Sequence, residues 1–318
     1  MINSIFNIKD NNDFEKIAID VFQYQAKNNK VYNKYLENLK INIKEIQKTE
    51  DIIYLPILLF KTHEVKIKKD YEIIFKSSGT TIDKKSQNYV HKLDIYEKSI
   101  IKNFEYFFGD ITKYNIIGIC PNYKNNKNSS LLYMINHLIK KSQNEISSFL
   151  ESNKEDLKNL INKSSKTTIL FGTSSFLMKL AESNKQNLEN CIIIETGGNK
   201  GLSKDLTKKE MYKFLEKKLK PIYIYSEYGM AELMSQAYAL KQNKFKTPPW
   251  MKIKIRNINN PFQILKDNQT GGINIIDLTN YENCSFIQTD DIGRQNNNTF
   301  EILGRYENSM ARGCSMLN

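Results

Sequence analysis

Apolar residues recur at helical spacing through the first fifty residues of the chain, while the positions between them are mostly Lys, Asn, Asp and Glu. Spacing of three and four residues places apolar side chains on one face of a helix. The pattern therefore predicts an N-terminal helical layer over residues 1–50. The residues that carry it are Phe14, Ile17, Ile19, Val21, Phe22, Tyr32, Tyr35, Leu36 and Leu39.

Between residues 51 and 245, short β-branched runs alternate with longer stretches of helical periodicity. Strands alternating with helices are typical of an α/β fold with a mostly parallel sheet. We expect an α/β core over 51–245. The predicted strands are 72–75, 115–120, 167–171, 191–195 and 221–226, and the predicted helices are 93–107, 130–141, 154–162, 175–182 and 208–219.

The last third of the chain has a different pattern. Strand-like runs at 250–256, 272–277, 285–289 and 299–303 are separated by turn signals rich in Asn, Pro and Gly. This pattern predicts a smaller β-rich subdomain over residues 246–318.

Composition narrows the function only slightly. Of the 318 residues 40% are hydrophobic, and the formal net charge is +12. The lysines are spread along the chain, whereas a nucleic-acid binder concentrates basic residues on one face and interleaves aromatic ones. We therefore predict no nucleic-acid partner, although the positive charge favours small anionic ligands.

Cysteine and histidine usage argues against a zinc site. The four cysteines are far apart, and the three histidines have no metal-ligand spacing. Three of the cysteines lie in or beside apolar stretches and are expected to be buried. The first thirty residues do not resemble a signal peptide, and the apolar run 52–60 is too short for a membrane span. A reducing cytoplasm is the expected location. The cysteines are Cys120, Cys191, Cys284 and Cys314.

The first chemical motif is Ser77-Ser78-Gly79-Thr80-Thr81, which follows a predicted strand. A glycine lets the backbone turn closely around a ligand, and the N–H groups and hydroxyls can donate hydrogen bonds to phosphate oxygens. It is not a Walker motif, because the Gly-Lys-Ser/Thr ending is absent. The alternative is a Ser/Thr-rich turn that precedes a helix.

The second motif covers residues 226–232 and follows the predicted strand 221–226. An aromatic-glycine turn formed by Tyr228 and Gly229 can place a ring over a flat base. Glu232 offers a carboxylate for Mg²⁺. The alternative for Glu232 is an acid at a helix N-terminus, favoured by the helix dipole.

The third motif covers residues 288–294 and is followed by Gly304 and Arg305. A carboxylate at a strand end, here Asp291, suits the two hydroxyls of a ribose, and an arginine can add a charge-assisted hydrogen bond. The alternative is a hairpin turn that contains acidic residues.

In this order, the three motifs resemble the core motifs of the adenylate-forming enzymes, which include acyl-CoA synthetases and luciferases. The chain is more closely similar to the LuxE-type acyl-protein synthetases, over roughly residues 50 to 318. The resemblance implies the fold of an adenylate-forming N-terminal domain. The segments that carry it are 55–56, 60–65, 196–201, 226–236, 248–250, 271–278 and 304–314.

The resemblance also implies a role for each motif. Residues 77–81 would hold the β- and γ-phosphates of ATP, and Tyr228 would stack on adenine. Glu232 would bind Mg²⁺, Asp291 would hold the ribose, and Arg305 would assist it. In addition, Gly197 and Gly198 resemble the glycine pair beside the adenine and acyl pocket. Three positions depart from the usual pattern, namely Ala231, Ile82 and Glu307.

The chain stops at Asn318, before the mobile C-terminal domain of typical adenylate-forming enzymes, so that domain is expected to be absent. In the acyl-protein synthetases a cysteine near the C-terminus carries the acyl group, and Cys314 stands at the matching place. Its neighbour Arg312 would favour the thiolate. Cys314, Arg305 and Glu232 are the predicted catalytic residues.

Three hypotheses follow from these motifs. The first is activation of a carboxylic acid, expected to be a fatty acid, as acyl-AMP and transfer to Cys314, then to a reductase or carrier protein. The second is a related ligase that delivers a fatty, aryl or sugar-linked acid to coenzyme A or an acyl carrier protein. The third, motivated by Ala231 and by the expected absence of the C-terminal domain, is a non-catalytic scaffold that binds nucleotide or acyl chains. Phe171, Met178 and Met234 are candidates for the acid pocket.

Overall fold

Helices and strands lie close to the positions that the apolar spacing predicts. The computed structural model describes residues 2–77, 85–120, 126–150, 157–183, 188–196, 206–241 and 243–306. The helices are α1 (Ile2–Phe6), α2 (Asn11–Asn28), α3 (Lys30–Asn38), α4 (Leu59–Thr62), α5 (Leu93–Phe108), α6 (Ser130–Ser142), α7 (Leu157–Ile161), α8 (Ser174–Glu182) and α9 (Lys208–Leu219).

The strands are more numerous than the sequence predicts. The additional ones are short, or polar in sequence. The strands are β1 (Leu55–Pro56), β2 (Ile73–Lys76), β3 (Gln87–Val90), β4 (Asn115–Ile119), β5 (Ser148–Leu150), β6 (Thr168–Thr173), β7 (Cys191–Thr196), β8 (Tyr223–Tyr228), β9 (Ala237–Ala239), β10 (Phe245–Lys246), β11 (Met251–Arg256), β12 (Thr270–Asp277), β13 (Phe286–Asn296) and β14 (Thr299–Arg305).

Local side chains fix several helix ends. The Asn29 side chain accepts hydrogen bonds from the N–H groups of Val31 and Tyr32, which starts α3 immediately after α2 ends. Thr207 and Glu210 form a reciprocal capping box at the start of α9. The capping box explains why the predicted helix 208–219 begins where the spacing places it.

One large sheet runs through most of the described chain. Its strand order is β11-β12-β13-β14-β10-β9-β8-β7-β6-β4-β5, with β1 beside β13. The pairs from β8 to β5 are parallel, whereas those from β11 to β8 are antiparallel. The predicted α/β fold is therefore confirmed, and the predicted β-rich region extends the parallel sheet. The boundaries 1–50, 51–245 and 246–318 stay predictions.

The antiparallel part of the sheet is strongly curled. β13 and β8 are four strands apart in the sheet order, which corresponds to about 19 Å in a flat sheet. Nevertheless, the hydroxyl of Tyr228 on β8 lies 2.7 Å from a carboxylate oxygen of Asp291 on β13. The curl encloses the rings of Phe245 and Phe300, and it brings residues from distant strands together.

The N-terminal helical layer packs on the antiparallel part. Phe22 of α2 makes an edge contact with Phe286 of β13, and both side chains are fully buried. Gln25 donates to the carbonyl of Asn280 and accepts from the N–H of Ser285. The N-terminal helices thus pack on the part of the sheet that the last third of the chain forms.

Two further apolar clusters cover the two faces of the parallel part. One lies under α5 and α6, and the other lies under α8 and α9. Cys120, Cys191 and Cys284 are free and buried, as predicted. Across the ranges that the structure describes, every helix is too short or too polar to cross a lipid bilayer.

Candidate active site

The first motif lies between the two strands of a β-hairpin. β2 ends at Lys76 and pairs antiparallel with β3. Beyond this pairing, the Ser77 N–H donates to the Ser86 carbonyl, and the Ser86 N–H donates to the Ser77 hydroxyl, both at 3.1 Å. The next described element after this motif is the strand β3, and the helix α5 follows it. The remaining motif residues, Ser78, Gly79, Thr80 and Thr81, lie outside the described residues.

Glu232 lies next to this hairpin. Its carboxylate is buried and is in hydrogen-bonding contact with the Ser86 side chain. Burial raises the pKa of Glu232, and the Ser86 contact and the charge of Arg305 partly offset this effect. Ser77, the first residue of the phosphate-binding motif predicted from the sequence, is therefore linked through Ser86 to the predicted metal ligand.

Glu232 does not begin a helix, so that alternative is wrong. Residues 229–236, which we call the Glu232 segment, form turns between β8 and β9. Side chains that are distant in sequence donate hydrogen bonds to the backbone carbonyl groups of this segment. Asn88 donates to the Ala231 carbonyl at 3.0 Å, and Asn280 donates to the Glu232 carbonyl at 2.7 Å.

Asp277 holds the other end of the Glu232 segment. Its fully buried carboxylate accepts from the N–H groups of Met234 and Ser235, each at 2.9 Å. It also accepts from the Ser235 hydroxyl at 2.8 Å, and that hydroxyl accepts from the Trp250 indole at 2.9 Å. Burial raises the pKa of Asp277, and these hydrogen bonds work against the rise. The segment is thus fixed by a buried polar network rather than by regular secondary structure.

Tyr228 and Asp291 form the next part of the site. The Tyr228 hydroxyl donates to Asp291 at 2.7 Å, and the ring packs edge-on against Phe245 and Phe300. Burial, together with the Asp291 charge, raises the pKa of Tyr228. In this arrangement the tyrosine orients the carboxylate, and its stacking on a base stays a prediction.

Asp291 lies in the middle of a strand. β13 runs unbroken from Phe286 to Asn296, so the alternative of a hairpin turn over 290–293 is wrong, and the predicted strand 285–289 is too short. Burial raises the pKa of Asp291, and the Tyr228 hydrogen bond and the Arg305 charge partly offset it. The carboxylate is therefore held inside the curled sheet, where the neutral Tyr228 hydroxyl donates to it.

Two arginines flank Asp291. Arg305 is its register partner on β14, and the half-exposed guanidinium lies 3.9 Å from Asp291 and 3.8 Å from Asp290. At these distances and this exposure the ion pairs are weak, so the guanidinium is free to turn toward a ligand. Arg256 is buried and donates to the carbonyl of Thr289 at 2.7 Å.

The sequence motifs missed several residues of this site. Trp250 and Asp277 lie inside segments that carried the family resemblance, although no role was assigned to them. Asn88 and Ser86 lie in a polar stretch that gave no strand signal. Of the predicted site residues, the structure brings Ser77, Glu232, Tyr228, Gly229, Asp291 and Arg305 into one region. Gly197, Gly198 and Cys314 lie outside the described residues.

Solved structures share this architecture. 2-Hydroxyisobutyryl-CoA ligase in complex with 2-HIB-AMP matches with a TM-score of 0.70 at 12% identity, covering 92% of this chain and 67% of that one. ATP-bound MatB from Rhodopseudomonas palustris gives 0.54 at 13%, covering 75% and 49%. The luciferase-like enzyme of the mealworm Zophobas morio gives 0.55 at 17%, covering 77% and 59%.

The chain thus spans between about half and two thirds of the length of these structures. No protein-family model and no curated protein sequence matches it. At these identities the likeness concerns the fold: the chain has the fold of the N-terminal domain of adenylate-forming enzymes.

Proposed function

We propose that the chain binds ATP and a carboxylic acid at this site and joins them as an acyl-adenylate. One observation carries the proposal. The residues to which the resemblance gives phosphate, metal, base and ribose roles come from three motifs that are far apart in the sequence. In the structure, Ser77 connects to Glu232 through Ser86, and Tyr228 connects to Arg305 through Asp291.

The chemistry of such a step suits these groups. A carboxylate oxygen attacks the α-phosphorus of ATP, an O–P bond forms, and the bond to the leaving pyrophosphate breaks. The nucleophile is already ionised, so no general base is needed. Two anions must approach each other, so fixed donors and cations around the phosphates supply the stabilisation. Arg305, which is half exposed and weakly paired, is placed to give this charge.

Glu232 suits a magnesium ion in this proposal. Its pKa is raised by burial, and a cation beside it would favour the ionised carboxylate. Among the described residues, His, Cys, Asp and Glu form no group of three or more that could hold a metal by themselves. Mg²⁺ needs only one or two protein carboxylates when phosphate oxygens supply the rest. When bound, Mg²⁺ would neutralise charge on the phosphates.

The acyl acceptor is proposed from the sequence. Attack of the Cys314 thiolate on the acyl carbonyl would form a thioester and release AMP, and the thiol proton would pass to solvent. A reductase or carrier protein would then take the acyl group. The LuxE-type resemblance supports this order. Cys120, Cys191 and Cys284 are poor alternatives, because burial raises the pKa of each thiol to about 12.

The proposal is tested by incubating the protein with Mg²⁺, ATP and a panel of carboxylic acids. Pyrophosphate release and intact protein mass are measured together. We expect release with one class of acid, and an acyl adduct that hydroxylamine removes. Cys314→Ser is expected to keep the release and lose the adduct, whereas Cys191→Ser, at a buried thiol, is expected to keep both.

Other outcomes point to the other hypotheses. Release without an adduct would favour coenzyme A or a carrier protein as the external thiol acceptor. Absence of release with every acid, with a candidate reductase added, would contradict the enzymatic proposal and leave the scaffold.

A further inference from the structure

Three polar side chains form a row where parallel strands end. Thr173 on β6 pairs in register with Thr196 on β7, and the pairing of Glu195 with Ser226 places Thr196 beside Glu227 of β8. We call Thr173, Thr196 and Glu227 the strand-end row. Ligands of open α/β sheets bind beyond the carboxyl ends of the strands.

The strand-end row lies on one face of the sheet. Two residues earlier on the same strands, Phe171, Ile194 and Tyr225 belong to the apolar cluster under α5 and α6. Side chains two positions apart on a strand share a face, so the strand-end row continues this cluster to the edge. Met234 of the Glu232 segment belongs to the same cluster.

This placement sorts the three pocket candidates from the sequence. Phe171 and Met234 lie on the face of the strand-end row, as a shared pocket requires. Met178 packs instead in the cluster under α8 and α9, on the other face. Met178 is therefore removed from the predicted acid pocket.

The strand-end row has unused hydrogen-bonding capacity. The Thr196 hydroxyl is buried and has no hydrogen-bond partner within the described part of the chain. Glu227 is half-buried, and no hydrogen bond or ion pair joins its carboxylate to another described residue. A buried polar group without a partner is costly. Such groups at a strand end suggest a ligand that completes them.

Gly229 leaves room beside this carboxylate. A Cβ atom at Gly229 would lie 2.4 Å from a Glu227 carboxylate oxygen, so any larger residue would displace the acid. Glu227 directly precedes Tyr228, yet the alternation along β8 points the two side chains to opposite faces. The carboxylate thus borders the candidate active site from the side of the apolar cluster.

We propose that Glu227, with Thr196, binds a hydrogen-bond donor on the acid substrate, a hydroxyl or an amino group. The inference rests on the proposed function and changes its expected substrate from a plain fatty acid to a hydroxy or amino acid. Glu227 accepts the bond, and apolar neighbours such as Phe171 and Met234 contact the carbon chain.

The charges around Glu227 favour a hydrogen-bond donor, rather than an anion, on the bound acid. Glu195 on the neighbouring strand adds negative potential, although Lys208 pairs with Glu195 at 3.1 Å. An anionic or purely apolar group at Glu227 would leave the carboxylate unpaired, whereas a hydroxyl or ammonium satisfies it.

The test is ATP–pyrophosphate exchange with straight-chain acids and with the same acids bearing one hydroxyl or amino group at successive carbons. For the wild type we expect kcat/KM to be at least about tenfold higher for one donor-bearing acid than for its plain parent. Glu227→Leu is expected to reverse this preference. Glu227→Gln and Thr196→Val, which nearly keep side-chain size, are expected to reduce it. Glu216→Gln, at an exposed glutamate of α9, is expected to leave it unchanged.

A ratio of kcat/KM for donor-bearing and plain acids that is the same in the wild type and in all Glu227 variants would overturn this inference and leave the proposed function intact. Absence of exchange with every acid would overturn both. If Glu227→Leu does not fold, Glu227→Gln and Thr196→Val decide the outcome, because neither adds volume.

Discussion

Replacing Asp277 with alanine removes the acceptor around which the Glu232 segment is built. The carboxylate accepts from the N–H and hydroxyl of Ser235 and Thr279 and from the N–H of Met234. Alanine leaves three buried backbone N–H groups without that acceptor. Each unsatisfied N–H group costs about 1–3 kcal/mol of stability. Removing the buried Asp277 charge is favourable and offsets part of this cost. We expect a loss of about 3–5 kcal/mol in the free energy of unfolding.

Asparagine at the same position is the matched variant. Its carbonyl can accept from Met234 and Ser235, and its amide can donate to the hydroxyls of Ser235 and Thr279. Only the Thr279 N–H, at 3.2 Å from Asp277, loses its acceptor. The expected loss is therefore about 1 kcal/mol. Asp20→Ala, at an exposed position of α2, is the control and should change stability by less than about 0.5 kcal/mol.

The assay is urea unfolding followed by tryptophan fluorescence. The chain has one tryptophan, and Trp250 donates to the Ser235 hydroxyl, so the signal reports on this network directly. Pyrophosphate release should fall with Asp277→Ala, because the segment carries Glu232. An Asp277→Ala protein within about 1 kcal/mol of the wild type would refute the reasoning, since water would then replace the carboxylate.

Three further predictions concern single groups. Tyr228→Phe removes the donor to Asp291, and we expect about a tenfold rise in the KM for ATP with little change in melting temperature; an unchanged KM would show that the bond does not position Asp291. Burial, with the Glu195 charge, raises the pKa of Glu227 from 4.5 to about 8. The folded wild type therefore binds a proton that the unfolded chain releases, and its stability falls as pH rises between these values. The melting temperature of Glu227→Gln, measured relative to that of the wild type, should accordingly rise with pH. A difference in melting temperature that does not change with pH would contradict this. Cys120, Cys191 and Cys284 are buried, so native Cys314→Ser protein should react with DTNB only after denaturation; rapid reaction of the native variant would show that one of these thiols is accessible.

The parallel part of the fold follows directly from the sequence, because its strands are buried on both faces and stand out as β-branched runs. β3 gives no such signal. Its Asn88 is polar, yet it is buried to bind the Ala231 carbonyl and the side chain of Asn283. From the local sequence alone, a polar residue that is buried because it binds a distant backbone group looks the same as a polar residue in a loop.

The same reasoning explains the error at β13. Gly293 between acidic residues and Arg294 is typical of a turn, but here it lies inside a strand. A Cβ atom there would lie 2.4 Å from the Glu301 carbonyl and 2.7 Å from Ile273. Close packing of neighbouring strands requires this glycine, and the neighbours are known only once the strands are paired. Glu232 was predicted as a site residue from its local motif, whereas the network that holds its segment depends on residues far along the chain.

The pairing of β1 with β13 has a consequence for synthesis on the ribosome. Leu55 pairs with Ile287, so the strand after the N-terminal helices finds its partner only when nearly the whole described chain has been made. Until then Phe22 and its apolar neighbours lack the surface that buries them. Pairing between strands so far apart in sequence is slow, and until it occurs the chain exposes apolar surface that favours aggregation. Fragments that end before β13 should therefore be insoluble or bound to chaperones, because the N-terminal helices lack the strand on which they pack.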